Sequence, residues 1–433
     1  MSTAYWVTGD TRAVTAHIPD GSIDLILTSP PFLALRSYLP ADDPNKGLEI
    51  GSEATPGAFI DVLLDLTVEW RRILAPHGSI CVELGDTYSG SGGAGGDYAD
   101  EGLREGQPKF RADRTGPRDS RPGREGPATA TTPRPESGAN GGTGWPLAKS
   151  LTLIPESYRM ALAYGRNPHT GRTIQPWRIR NVVRWVRPNP PVGALGDKFR
   201  PATSEMVVAC VSGKRYFDLD AVRTPYKGNH KMGEAIGGKG ADYGDGVRSG
   251  WSNRADVLRE DRGGAPPLDW WNIPTHGFAG AHYATWPPAL CTKPILSMCP
   301  EKVCTVCGEP SRRIVGEAEY VPSATNRGGI LKRDGERAAE GVNQWSGNGG
   351  ATASVIRVAP TLGFTDCDHD AWRPGRVLDP FGGSGTTCMV TTGHGRDAIG
   401  IDLDHRNAEL ARDRIGPLFF TETTATELGE LLR

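Results

Sequence analysis

Residues 28–32 read TSPPF and directly follow IDLIL, which reads as a buried-type strand. Two successive prolines fix the chain and remove two N–H donors. The carbonyls around Ser29, Pro30 and Pro31 can then point outward as acceptors. A hydroxyl beside such carbonyls can hold both hydrogens of an exocyclic amino group and turn its nitrogen lone pair towards an electrophile. Phe32 offers a flat face for stacking a base, and a base must leave a duplex to reach it. Taken alone, a Pro-Pro turn is more often a plain loop.

Residues 376–387 read RVLDPFGGSGTT. A strand ends at Asp379, a turn follows through Phe381, Gly383 and Gly385, and a helix begins near Thr386. Glycines let the backbone approach a ligand, and the helix start offers free N–H groups. Asp402 ends the next strand, where an acidic side chain can take both hydroxyls of a ribose. No Gly-Lys-Ser/Thr follows and this loop lacks GxGxxG, which excludes a Walker loop and disfavours a nicotinamide cofactor. The strand–loop–helix–strand–Asp unit points to an adenosine-containing ligand.

A third constellation is metal-like. Cys304 and Cys307 form a CxxC knuckle followed by Gly308, with Cys367 and His369 some sixty residues on. Four S/N ligands suit a structural zinc. The expected set is Cys304, Cys307, Cys367 and His369, with Cys299 as the substitute; unliganded cysteines are the alternative. None of the eight cysteines follows a proline, so no Pro-Cys nucleophile for attack on a pyrimidine ring is apparent.

Elements that could position these groups alternate along the chain. Strands are expected over 5–9, 23–28, 79–84, 181–186, 205–211, 377–379 and 398–403, with helices over 11–18, 59–74, 386–392 and 405–415. Pro76, His77 and Gly78 are expected to form a turn. Strand–helix alternation at this spacing predicts an α/β fold with a mainly parallel, doubly wound sheet. Three stretches, 89–144, 228–266 and 317–360, look like inserts; the first holds 14 Gly and 6 Pro and no apolar period.

Charge is segregated. Residues 1–100 hold 5 Lys/Arg against 14 Asp/Glu, whereas residues 151–227 hold 13 against 5. The basic stretch includes Arg178, Arg180, Arg184, Arg187, Lys198 and Arg200, interleaved with Trp177, Trp185, Phe199, Tyr216 and Phe217. A basic, aromatic-rich segment in a chain of net charge −2 reads as a nucleic-acid face, against the plainer reading of a solvated surface. With 433 residues and 37% hydrophobic side chains the chain can build a sizeable core. No apolar run is long enough for a membrane helix, no secretory signal is seen at the start, and cysteines are too sparse for a disulfide scaffold. The expectation is a cytoplasmic protein without membrane association.

TSPPF and DPFGGSGTT together resemble the catalytic and cofactor motifs of S-adenosylmethionine-dependent DNA amino-methyltransferases. The catalytic motif comes first and the cofactor motif last, as in the circularly permuted class called beta. Further stretches are similar in the same order: VTGDTRAV, WRRILAPHGSICVELGDTY, NVVRWVRPNP with RPATSEMVVACVSGKRYFD, and LDWWNIPTHG with HYATWPPAL. The resemblance implies a Rossmann-like methyltransferase fold. It implies S-adenosylmethionine as cofactor, held by Asp10, Thr28, His282, Thr285, Asp379, Phe381, Gly383, Gly385, Thr386 and Asp402. It also implies double-stranded DNA as partner and catalysis by Ser29, Pro30, Pro31 and Phe32, with a cognate restriction or defence system in some members. Ser before Pro-Pro leans to cytosine N4, while Asp at that place leans to adenine N6. Adenine N6 transfer, or a non-enzymatic zinc-containing DNA-binding protein, are the alternatives.

The implied organisation is a catalytic half over 1–88, a Gly/Pro/Arg-rich insert over 89–150, and core strands with the basic face over 151–218. A target-recognition insert over 219–270, a cofactor-closing segment over 271–298, a zinc-binding insert over 299–370 and a cofactor-binding half over 371–433 complete it.

Overall fold

The computed structural model describes residues 2–35, 38–40, 42–89, 143–190, 197–227, 264–275, 285–322 and 355–433. The chain forms two compact units, one of Met1–Phe217, Leu268–Pro310 and His369–Arg433, the other of Asp218–Pro267 and Ser311–Asp368. Much of the three Gly-rich inserts lies outside the described residues.

The first unit is built on nine strands: β1 (Ala4–Thr8), β2 (Ile23–Thr28), β3 (Leu74–Leu84), β4 (Arg178–Val186), β5 (Thr203–Cys210), β6 (Trp270–Asn272), β7 (Arg376–Asp379), β8 (Asp397–Asp402) and β9 (Phe420–Glu422). Their order is β9-β1-β8-β7-β2-β3-β5-β4-β6. The six from β9 to β3 are parallel, β5 is antiparallel to β3 and β4, and β6 runs parallel to β4. Helices α1 (Thr11–Thr15), α2 (Pro56–Ile73), α3 (Ile154–Tyr164), α4 (Pro288–Met298), α5 (Thr386–Gly393), α6 (Arg406–Ile415) and α7 (Ala425–Leu431) accompany it. This is the doubly wound, Rossmann-like α/β arrangement expected from the alternation.

All six residues of β2 are buried, as a central parallel strand covered on both faces requires. Alternate side chains serve opposite cores. Ile26 packs with Phe59, Leu63 and Trp70 of α2 and Tyr158 of α3. Leu25 and Leu27 pack with Leu290, Ile295 and Met298 of α4. Helix α2 starts where Thr55 accepts from Ala58 N and Pro56 takes the first turn. A third cluster wraps Trp6, on which Gly400 and Gly382 sit so closely that a Cβ would approach its ring to 2.5 and 2.7 Å.

One expected turn is absent. β3 runs unbroken from Leu74 to Leu84 through Pro76, His77 and Gly78, and the register against β2 shifts there. Residues 76–78 stay in the strand at this register shift, and His77 turns inward: its Nε2 lies 2.9 Å from Asp24 Oδ1. Arg373 donates to both oxygens of Asp24 at 2.7 and 3.1 Å, and Arg376 N donates at 2.7 Å. Burial pushes the Asp24 carboxyl up, but the His77 hydrogen bond and the Arg373 charge outweigh it and bring it down to about 2. A carboxyl depressed on folding stabilises above its unfolded value and loses that contribution as pH falls through the folded one. The stability gap between wild type and Asp24→Asn should therefore be full at pH 5–7 and shrink by about 2 kcal/mol between pH 4 and 2. Urea unfolding of both proteins across that range measures it, and a pH-independent gap would contradict it.

The second unit contains a four-stranded sheet in the order Glu319–Pro322, Val355–Val358, Thr224–Lys227, Gly264–Ala265, and a two-stranded sheet of Arg313–Val315 with Thr361–Phe364. Arg313 pairs with Asp218 at 2.6 Å within it.

Candidate active site

The parallel strands end together at their carboxyl edge, where ligands of open α/β sheets bind. β2 delivers Thr28 and Ser29. Thr28 lies in register with Val82 of β3, which brings Ser29 beside Glu83. Ser29 Oγ donates to Glu83 Oε2 at 2.6 Å. Its one proton is thus spent on the carboxylate, and its lone pairs remain to accept from another donor. Pro30 is buried, while Ser29, Pro31 and Phe32 are half-buried. The Phe32 ring lies against Gly85, where a Cβ would come within 2.5 Å of Phe32 Cε2. Glu83 and Gly85 were not singled out from sequence. The available signal was an acid inside the otherwise apolar run SICVEL, followed by glycine.

The Gly-rich loop is braced by carboxylates. Asp379 accepts from Thr28 Oγ1 at 2.7 Å, Thr387 Oγ1 at 2.6 Å and Phe381 N at 3.1 Å. Burial still pushes its carboxyl above the usual range. With three donors already on it, Asp379 ties the loop, the start of α5 and the end of β2 together. Asp402 accepts from Gly383 N at 2.7 Å, Asp404 N at 2.8 Å and Asn407 Nδ2 at 3.0 Å. Burial pushes its carboxyl up to about 6.

Gly383 and Gly385 both have positive φ, 51° and 74°. At Gly385 a Cβ would meet Ala411 Cβ at 2.8 Å, so its hydrogen admits α6 against the loop. Arg414 of α6 donates to Thr386 Oγ1 at 2.7 Å and to Ser384 O at 3.2 Å. Ser384 Oγ in turn donates to Thr285 Oγ1 at 3.4 Å, which places Thr285 at the loop. Arg414 is a strut that the sequence reading missed.

Asp10 caps α1, accepting from Arg12 N at 3.0 Å and pairing with the Arg12 guanidinium at 2.9 Å. Gly9 N donates to Asp402 O at 2.8 Å, so Asp10 and Asp402 stand at neighbouring strand ends. His282 lies outside the described residues.

A family model described as DNA methylase, covering N6/N4 methyltransferases, matches residues 23–305 and 374–413. The chain belongs to this DNA methylase family. Among its relatives, the methylase is 27% identical over 336 residues to the type II methyltransferase M.Cfr9I of Citrobacter freundii, covering 74% of this chain and 85% of that one. It is 26% identical over 412 residues to M.XycI of Xanthomonas campestris pv. cyanopsidis, covering 94% and 86%. Among solved structures it is similar to the PvuII DNA methyltransferase (cytosine-N4-specific), at 12% identity and a TM-score of 0.46, covering 100% of this chain and 93% of that one. The M1.HpyAVI–SAM complex matches at 11% identity and a TM-score of 0.37, covering 95% and 99%.

The basic segment of the methylase is only partly free to meet a polyanion. Arg184 pairs with Glu205 at 2.8 Å, and Arg159 reaches the same carboxylate at 2.6 Å. Glu205 is buried and needs these counter-charges, so Arg184 is first a structural partner. Arg178 bonds the Val211 carbonyl and Arg200 the Pro190 carbonyl. Lys198 sits over the Tyr88 ring at 3.4 Å. Arg180 is exposed on β4. Arg187 stacks on Trp185 at 5.1 Å; burial pulls its pKa down while the Glu83 charge opposes that. The Arg187 guanidinium is therefore within electrostatic reach of the Ser29–Glu83 pair.

The metal-like residues of the methylase do converge. One ligand atom from each of Cys304, Cys307, Cys367 and His369 lies within 4.8 Å of all the others. Cys304 Sγ lies 3.7 Å from His369 Nδ1, and the backbone N–H groups of Val306 and Cys307 point at Cys304 Sγ from 3.4 and 3.5 Å. The knuckle is held by pairing of Lys302–Cys304 with Trp372–Pro374. Cys299, the substitute ligand expected from sequence, is instead fully buried among Leu290, Ile295 and Met298, and burial pushes its thiol far up.

Proposed function

We propose that this methylase transfers a methyl group from S-adenosylmethionine to the exocyclic N4 of cytosine in double-stranded DNA, as a circularly permuted member of the beta class. The carrying observation is Ser29, whose proton is held by the buried Glu83 carboxylate. A hydroxyl so oriented is an acceptor for an amine N–H. The permutation is supported by the order of the sheet: β1, β8, β7 and β2 lie side by side, with the cofactor-type strands last in sequence. Ser rather than Asp before Pro30 supports cytosine over adenine.

The loop residues fit the cofactor. A half-buried carboxylate at the end of β8, already paired with a backbone N–H, is the partner a ribose diol needs. Asp402, Gly383, Phe381, Asp10 and Thr285 would hold the nucleoside and its tail, with His282 as a further expected contact. Asp379, Gly385 and Thr386 would shape the loop. Bound there, the sulfonium supplies an electrophilic methyl.

The chain's own groups do the rest. Ser29 Oγ and the Pro30 carbonyl accept the two amine hydrogens, which favours a tetrahedral nitrogen with its lone pair exposed. Phe32 stacks on the extrahelical ring. Once the nitrogen carries the methyl it is cationic and acidic. One of its protons passes to Ser29 Oγ as the Ser29 proton passes to Glu83. Arg178, Arg180, Arg187, Lys198 and Arg200 serve the phosphates, with Arg184 contributing through Glu205. Mass spectrometry of nucleosides from treated duplex DNA tests the assignment. N4-methylcytosine is expected; N6-methyladenine without it would overturn the choice of base.

We also propose a structural zinc at Cys304, Cys307, Cys367 and His369. The Cys3His set and the N–H groups aimed at a thiolate suit it. Elemental analysis should give one zinc per chain. Cys304→Ser should lower the melting temperature by several degrees with little change in the chemical step of folded protein. Protein purified without chelator and free of metal would remove the claim.

A further inference from the structure

Phe199 is 99% exposed, the most exposed of the large hydrophobic side chains among the described residues. A single exposed apolar residue is ordinary, but its surroundings are not. The chain on both sides is tied down. Asp197 pairs with Lys149 at 3.1 Å, Lys198 lies over the Tyr88 ring, and Arg200 bonds the Pro190 carbonyl. The side chains on either side of Phe199 thus have partners, while its own ring is almost wholly exposed, between two cations.

The position matters as much as the exposure. Val186 of β4 pairs with Thr203 of β5, and Glu205 of β5 pairs with Leu84 of β3. The described ends of their connection, 187–190 and 197–202, therefore lie past the carboxyl end of β3. That is the edge at which Ser29 meets Glu83 and Phe32 lies on Gly85. Tyr88, which receives Lys198, is three residues beyond Gly85 in the same chain segment.

Moving a base from a duplex into the Ser29 pocket leaves a gap in the stack, and the lost stacking opposes the reaction. Apolar side chains inserted between bases can take over such contacts. We propose that Phe199 is this wedge, entering the duplex as the target base leaves it, with Lys198 and Arg200 seating the loop on the flanking phosphates. This rests on the reading of the protein as an amino-methyltransferase of duplex DNA. Phe199 touches DNA and not the reacting atoms, so it acts on extrusion and not on methyl transfer itself.

The test compares Phe199→Ala, Phe199→Trp and wild type in single-turnover methylation, with the recognition site taken from sequencing of DNA modified in cells. Two duplexes are used, one with the target base paired and one with it mispaired, where extrusion costs less. On the paired duplex Phe199→Ala should lose about 5- to 150-fold, the range that base–aromatic stacking supplies. On the mispaired duplex the loss should shrink to within about threefold, because much of the unpairing cost is gone. Phe199→Trp should recover most of the rate, and all three proteins should melt together. An alanine variant as fast as wild type on paired DNA, or equally slowed on both duplexes, would overturn the proposal. A wild-type protein that methylates neither duplex would instead overturn the underlying reading.

Discussion

Ser29→Ala is expected to lower the single-turnover rate of methyl transfer by about 30- to 1000-fold, or ~2–4 kcal/mol, with DNA and cofactor affinities near wild type. The reason lies in one hydrogen bond. Ser29 Oγ gives its proton to Glu83 at 2.6 Å, so its acceptor side is oriented before substrate arrives. Alanine removes that acceptor and leaves the buried Glu83 carboxylate facing the amine directly. Glu83→Gln should keep the geometry but remove the final proton acceptor, and should also depress the rate. Rapid-quench measurement with labelled cofactor separates the chemical step from binding. A Ser29→Ala protein with unchanged turnover would remove Ser29 from the mechanism while leaving the fold and family untouched.

Asp402→Ala is expected to weaken S-adenosylmethionine binding by about 10- to 150-fold, ~1.5–3 kcal/mol, through loss of charged hydrogen bonds. The carboxylate serves two ends at once. It anchors Gly383 N at 2.7 Å, and it is the partner proposed for the ribose. The pH dependence follows from burial, which raises its pKa to about 6 in the free protein. The ionised form accepts hydroxyl protons and the protonated form does so poorly. Affinity should therefore be flat above about pH 7 and fall below pH 6, by at most about tenfold per unit. Asp402→Asn should bind more weakly and show no such slope. Calorimetry from pH 5 to 8 measures both, and a wild-type affinity independent of pH would contradict the assignment.

Local order carried the chemistry that could be recognised from the chain alone. TSPPF after a buried-type strand, and DPFGGSGTT between a strand and a helix, are contiguous, because a strand-end loop draws its groups from adjacent residues. The alternating strand and helix periods likewise marked most of the parallel sheet, since a doubly wound core imposes its burial pattern on each element. Pairing between distant residues was not readable in this way. Glu83 joins Ser29 only because β3 lies beside β2 in a particular register. Asp379 and Asp402 brace the loop because Thr28 reaches Asp379 from β2 and Gly383 reaches Asp402 from the preceding loop, adding to donors that are local in sequence. His77 stays within a strand where a turn is expected, and it reaches Asp24, a partner 53 residues away. Arg184 reads as a free cation along the chain, yet the buried Glu205 of the neighbouring strand pairs with it. Residue type and spacing along the chain thus specified which groups could react, through local geometry. Which of them are oriented, neutralised or left free was decided by strand register and burial, since charge and hydrogen-bond balance are set by neighbours in space.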